Sequence, residues 1–185
     1  QAGAFAEGMR ASKVIPTYKH FPGLGRVKDN TDTSAGVVDS ATNRLPDAAV
    51  GVFANAIAAG AQAIMVSSAT YSLIDSSAPA VFSSKIVTDM LRREMGFSGV
   101  VITDDVSAAV QVQDRTPAQR AVQAVRAGCD IVLASADATV AADMARALVT
   151  EAPSDPALAE RADESAARVL EPKNGSRGRP HRGTG

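Results

Sequence analysis

Two short stretches carry side chains able to do chemistry together. "KHFPGLG" (19–25) sets a lysine beside a histidine and then turns through Pro22, Gly23 and Gly25. "TDDVSAA" (103–109) sets two carboxylates side by side directly after an apolar run. A lysine and a histidine at the C-terminal end of a strand supply several directed donors, as a polyhydroxylated ligand requires. Each stretch alone also has a plain structural reading. Lys19 and His20 fit a strand followed by a Gly/Pro turn, and the spacing matches neither GxGxxG nor GxxxxGK[ST], so a phosphate loop fits poorly. Asp104 and Asp105 fit a turn former and a helix cap equally well. A metal site would need further oxygen ligands, and none is obvious. A phospho-acceptor pocket would place its paired acids on the first strand and use a lysine after "DIVLAS", where there is none.

These groups need elements to position them. Four nearly continuous apolar runs, "KVIPTY" (13–18), "AQAIMVS" (61–67), "GVVITD" (99–104) and "DIVLAS" (130–135), predict parallel strands covered on both faces. Helical patterns separate and follow them. The segment 47–60 ends at Gly60, 83–97 starts at a serine cap and stops at Gly96, and 116–128 has a Thr cap, Pro117 at its first position and Gly128 as its stop. Segments 138–152 and 156–170 complete the set. The alternation predicts a parallel α/β fold whose longer loops follow the strands, the end where such folds keep their sites.

Composition narrows the partners. The 185 residues suffice for one domain, and a formal net charge of -1 draws the chain to neither nucleic acid nor anionic membrane. No run is long and apolar enough to span a membrane. Cys129 is the only cysteine, which excludes a disulfide framework; it reads as core. The methionines also read as core, and Arg92 and Arg93 as solvated helix surface. Residues 171–185, rich in Gly, Pro and Arg, read as a disordered tail whose arginines are solvated rather than RNA-binding. The chain opens on Gln1 without an initiator Met, which suggests missing upstream sequence and leaves compartment and oligomeric state unknown.

Taken together, "KHFPGLG", "YSLIDSSAPAVFSS" and "LRREMGFSGVVITDDVSAA", in that order, resemble the catalytic domain of glycoside hydrolase family 3, over roughly residues 1 to 150. The bacterial β-N-acetylglucosaminidase branch, with its KHFPGHG pattern, is the most similar. The resemblance implies a (β/α)8 TIM barrel, here incomplete: strands five to eight, part of the fourth helix, and open sheet edges, with residues 1–170 as the partial barrel domain. It implies a retaining exo-glycosidase acting on terminal β-linked N-acetylglucosamine, with no cofactor and no metal. Cell-wall turnover is its setting by family analogy.

The same resemblance assigns roles. Asp104 maps to the nucleophile that forms a covalent glycosyl-enzyme, with Lys19 the ammonium that favours its charge, and Lys19 and His20 map to sugar-hydroxyl contacts. The branch carries an Asp-x-His dyad after KHFPGHG; aligned from Gly25, its Asp falls on Asn30 and its His on Asp32. Asp32 is therefore the expected acid/base, Asn30 its orienting neighbour and Asp29 the fallback, which requires a dry, closed loop. Ser68 stands where the family often has a histidine and is a candidate sugar contact, with strand-end hydrogen bonding as the alternative. Tyr71 and Asp75 are expected to shape the following loop. A β-glucosidase-type hydrolase, a degenerate non-catalytic sugar binder and a Mg²⁺ enzyme using Asp104 and Asp105 are the rival readings.

Overall fold

A computed structural model describes the chain from Ala2 to Gly175. Its elements are helix α1 (Ala2–Ala11), strand β1 (Thr17–Phe21), strand β2 (Val38–Asp39), helix α2 (Ala48–Ala58), strand β3 (Ala63–Val66) and strand β4 (Thr70–Tyr71). A π-helix over Lys85–Glu94 follows, then β5 (Val100–Asp105), α3 (Pro117–Ala127), β6 (Ile131–Leu133), α4 (Ala141–Glu151) and α5 (Pro156–Gly175). The principal sheet is wholly parallel, in the order β1-β3-β5-β6, so each crossover helix returns the chain beside the strand it has just left. β2 and β4 form a separate two-stranded parallel ladder, which the alternating pattern did not signal because two residues are too few to show a period.

Local signals account for most boundaries. Asp47 caps α2 by accepting from the Ala49 amide at 2.8 Å, and Thr116 forms a reciprocal capping box with Gln119. Gly128 ends α3 with φ at +116°, and a Cβ there would sit 2.6 Å from the Thr88 hydroxyl oxygen, so the site is closed to other residues. β1 starts later than the expected 13–18, because Pro16 has no amide to give a ladder, and Val14 and Ile15 are left exposed. The helix expected over 83–97 is wound wide, with the Met95 amide donating to Met90 O, five residues back. α5 continues to Gly175, so the first five residues of the expected tail extend a helix that is already nucleated; residues 176–185 lie outside the described residues.

The core fills the space between sheet and helices. Phe21 at the end of β1 meets Phe53 of α2 edge-on, with ring centroids 5.2 Å apart, and Ile64, Val66 and Val101 are fully buried. Cys129 is buried there as expected, with its thiol pushed up to about 12 by burial. Among the described residues no helix is long and apolar enough to cross a membrane.

Arg92 corrects the expectation of a solvated surface. Its guanidinium reaches under the sheet to Asp130 at 2.5 Å and donates to the carbonyls of Gly99 (3.0 Å) and Gly128 (3.2 Å). The Asp130 side chain is fully buried and also receives Arg161 (3.0 Å), Arg168 (3.2 Å), the Ser165 hydroxyl (3.0 Å) and the Val101 amide (2.8 Å). One carboxylate thus ties the π-helix, β5 and α5 together. Arg93 is exposed and pairs with Asp89, one turn away. Replacing Asp130 with Ala leaves three partly buried guanidinium groups without their shared anion, and is expected to cost about 3–5 kcal/mol, measured by denaturant unfolding. A loss below about 1 kcal/mol would mean that water already satisfies those cations.

Candidate active site

The C-terminal edge of the sheet carries both chemistry-bearing stretches, and each coincides with a break in register. From Tyr18 to Phe21 β1 advances three residues while β3 advances two, Ile64 to Val66, which places one extra residue at Lys19–His20. From Ile102 to Asp105 β5 advances three while β6 advances two, Ile131 to Leu133, with the extra residue at Thr103–Asp104. Bulges of this kind re-aim side chains at strand ends. Beyond β1 the chain turns through Gly23, where φ is +138° and a Cβ would lie 2.7 Å from Ala49 Cβ.

The result is one cleft of about 380 Å³, lined by Lys19, Asp32, Asp104 and Asp105, with Met65 from β3 and Ser135 from beyond β6. Met65 is thus a wall of the cleft rather than core. His20 Nε2 stands 3.8 Å from Asp104 Oδ2, beyond hydrogen-bond reach but within range of a charge interaction. Burial pushes the His20 imidazole below its usual range; Asp104 and Asp32 pull it up, Lys19 pushes it further down, and the net direction is downward. His20 is therefore neutral at neutral pH, with one ring nitrogen free to donate and the other to accept.

The two adjacent carboxylates do different work. Asp105 Oδ1 accepts from the Ser107 hydroxyl (2.6 Å), the Ser107 amide (2.9 Å) and the Ser135 amide (3.2 Å), and Oδ2 accepts from the Ala136 amide (3.3 Å). Burial works against its charge, but these donors outweigh it and hold the carboxyl below the usual range. Asp105 is spoken for as a strut between the ends of β5 and β6. Asp104 accepts only from the Asp105 amide (3.0 Å) among the described bonds, which leaves Oδ2 open to the cleft.

The other predicted residues divide. Asp32 reaches the cleft, but its side chain is exposed, so the dry, closed loop expected around it is absent: residues 32, 33, 35 and 36 all face solvent. Asn30 is exposed and its Oδ1 accepts from the backbone amide of Asp32 at 2.8 Å, so it shapes the turn rather than touching the carboxyl group. Ser68 is fully buried and does not line the cleft. The chain dives under the following segment there, with the Val81 amide donating to Ser67 O (3.2 Å) and the Ala80 amide to Ala69 O (2.9 Å). Asp75 binds the hydroxyls of Ser77 and Ser83, both at 2.6 Å, and shapes the loop after β3 as the sequence indicates.

Gln111 escaped the sequence reading altogether. It lies just beyond the "TDDVSAA" stretch, after Val110, and its carboxamide binds both the amide and the carbonyl of Val37. A glutamine flanked by valines in "AAVQVQ" was the available signal, since a polar side chain inside an apolar turn needs a partner.

A parallel α/β sheet with free carboxylate, ammonium and imidazole groups at the C-terminal ends of its strands defines the class of α/β proteins that act on small polar ligands at that edge. The comparisons narrow this class. Residues 1–171 match the glycosyl hydrolase family 3 N terminal domain, and the chain belongs to that family. It is similar to a β-N-acetylhexosaminidase from Beutenbergia cavernae, with 57% identity and a TM-score of 0.91 over 94% of this chain and 51% of that one. A family 3 β-N-acetylglucosaminidase from Paenibacillus is similar at 28% identity and a TM-score of 0.82, over 93% of this chain and 33% of that one. A β-hexosaminidase from Psychromonas ingrahamii is 38% identical over 137 residues, 74% of this chain and 40% of that protein. The chain thus spans about half or less of the length of the relatives it matches.

Proposed function

We propose that the chain is the nucleophile-bearing half of a retaining β-N-acetylhexosaminidase. The observation that carries this reading is the convergence of Asp104, Lys19 and Asp32 on one cleft at the strand C-termini. Asp104 attacks the anomeric carbon while Asp32 protonates the departing glycosidic oxygen; water, deprotonated by Asp32, then releases the sugar from Asp104 with retained configuration. Lys19 donates to sugar hydroxyls and supplies positive charge on the same wall, and neutral His20 supports a second hydroxyl or Asp104 itself. A docked sugar covers the exposed Asp32 and provides the desolvation that the acid role requires.

The preference for N-acetylglucosamine over glucose is supported by the names of the similar proteins from Beutenbergia and Paenibacillus. The four-stranded sheet, over residues 1–170, serves as half of a (β/α)8 barrel. Its support is the sheet order: β1 has a neighbour only on the β3 side and β6 only on the β5 side, and exposed parallel edges call for further strands. The exposed position of Asp32 also favours a second reading, in which the cleft holds the sugar without cleaving it.

Product stereochemistry tests the proposal. Proton NMR of the first sugar released from an aryl N-acetyl-β-glucosaminide by the intact barrel is expected to report the β-anomer, with a glycosyl adduct on Asp104 found by mass spectrometry after rapid quench. Release of the α-anomer would refute the covalent route. Binding of the sugar without release would support the non-catalytic reading.

A further inference from the structure

We infer that Gln111 is a residue that positions Asp32 over the cleft, an inference that rests on Asp32 being the acid/base. Residues 30–37 arch away from the protein between two buried anchors, Thr31 and Val37, each 4% exposed. Both anchors dock on the single turn that follows the nucleophile strand. The Gln111 amide donates to Thr31 O at 3.1 Å, and the Val110 amide donates to Asp32 O at 3.1 Å. The Gln111 side chain closes the far end: Oε1 accepts from the Val37 amide at 2.7 Å and Nε2 donates to Val37 O at 3.1 Å.

That two-way grip fixes the orientation of the carboxamide, because a backbone amide only donates and a carbonyl only accepts. It is also selective for glutamine. Glutamate keeps the bond to the Val37 amide but turns a second acceptor toward Val37 O; leucine loses both bonds and strands the Val37 amide in a buried place, while Val37 O keeps only the Thr70 amide at 3.0 Å. Since residues 32, 33, 35 and 36 face solvent, apolar burial within the arch contributes little, and these four hydrogen bonds set where Asp32 stands, together with the Asn30 bond to the Asp32 amide (2.8 Å) and the Thr70 bond to Val37 O (3.0 Å). The four also join the arch to the turn that follows the strand carrying Asp104, which couples the placement of the two carboxylates.

The test is kinetic and uses the intact barrel. Two substrates are compared: an aryl N-acetyl-β-glucosaminide with a nitrophenolate leaving group, which needs little acid assistance, and a β-linked N-acetylglucosamine disaccharide, which needs much. Gln111→Leu is expected to lower kcat/KM on the disaccharide roughly 10- to 100-fold, the scale of a misplaced catalytic group, and to change the aryl substrate less than about threefold. Gln111→Glu, which keeps the stronger bond and the fold, is expected to fall between wild type and Gln111→Leu on the disaccharide. Added to Asp32→Ala, either change should cost nothing further on the disaccharide, because the group being positioned is already gone. Equal losses on both substrates, or a further loss on top of Asp32→Ala, would overturn the positioning role. Should Gln111→Leu fail to fold, Gln111→Glu alone and combined with Asp32→Ala decides by the same criteria. If Asp32→Ala itself lowers both substrates equally, the acid/base reading fails first, and the two failures are told apart.

Discussion

Asp104→Asn is expected to reduce kcat on an activated aryl N-acetylglucosaminide by roughly 10⁴- to 10⁶-fold, with KM changed less than about tenfold. The amide is nearly isosteric with the carboxylate, so it still accepts from the Asp105 amide and still fills its share of the cleft wall. What it lacks is an anion able to bond the anomeric carbon. Thermal unfolding is expected to shift by only a few degrees, because Asp104 contributes one local hydrogen bond to the fold. Asp104→Ala offers a companion measurement: azide, an external nucleophile small enough for the vacated space, should partly restore turnover and give a glycosyl azide of inverted configuration. Wild-type turnover by Asp104→Asn would remove the nucleophile assignment. Loss of folding together with activity would show instead that Asp104 serves the structure.

Asp32→Ala is expected to separate substrates by their leaving groups. Hydrolysis of the disaccharide should fall by roughly 10²- to 10⁴-fold, the usual contribution of a positioned acid/base. The first step on a nitrophenyl glycoside should survive, since that leaving group departs as a stable anion. The second step still needs a base, so the glycosyl-enzyme should accumulate and azide should accelerate its release. Asp32 is exposed and makes no side-chain hydrogen bond among the described residues, so its removal leaves the fold intact and the kinetic effect can be read directly. A uniform loss on both substrates would return the role to Asp29.

Much of the architecture was legible in the sequence because it rests on local signals. Gly60, Gly96 and Gly128 stop helices, Thr116 and Pro117 open one, and continuous apolar runs mark buried parallel strands. Arg92 was misread for a reason of the same kind. Its neighbours on the helix are polar, and its partner Asp130 lies thirty-eight positions on, so no local pattern connects them. Asp130 itself was the clue, an acid at the head of an otherwise apolar strand. Ser68 was a candidate sugar contact because it stands where the family often has a histidine, whereas the crossover closes over it.

The sequence by itself determined the inventory of the site: which carboxylates, which cation and which imidazole stand at strand ends, and that the strands run parallel. These are properties of residue type and periodicity, and they survive without coordinates. Only the tertiary structure decided which of two adjacent aspartates is free. Asp105 is consumed by donors from residues 107, 135 and 136, while Asp104 is left open to the cleft that Lys19 also lines, with His20 Nε2 3.8 Å away. Tertiary contacts likewise decided that Asn30 holds a turn, and that Gln111 reaches the loop 74 positions before it. Hydrogen bonds are directional and short, so their partners depend on how distant segments meet, and spacing along the chain carries no record of that meeting.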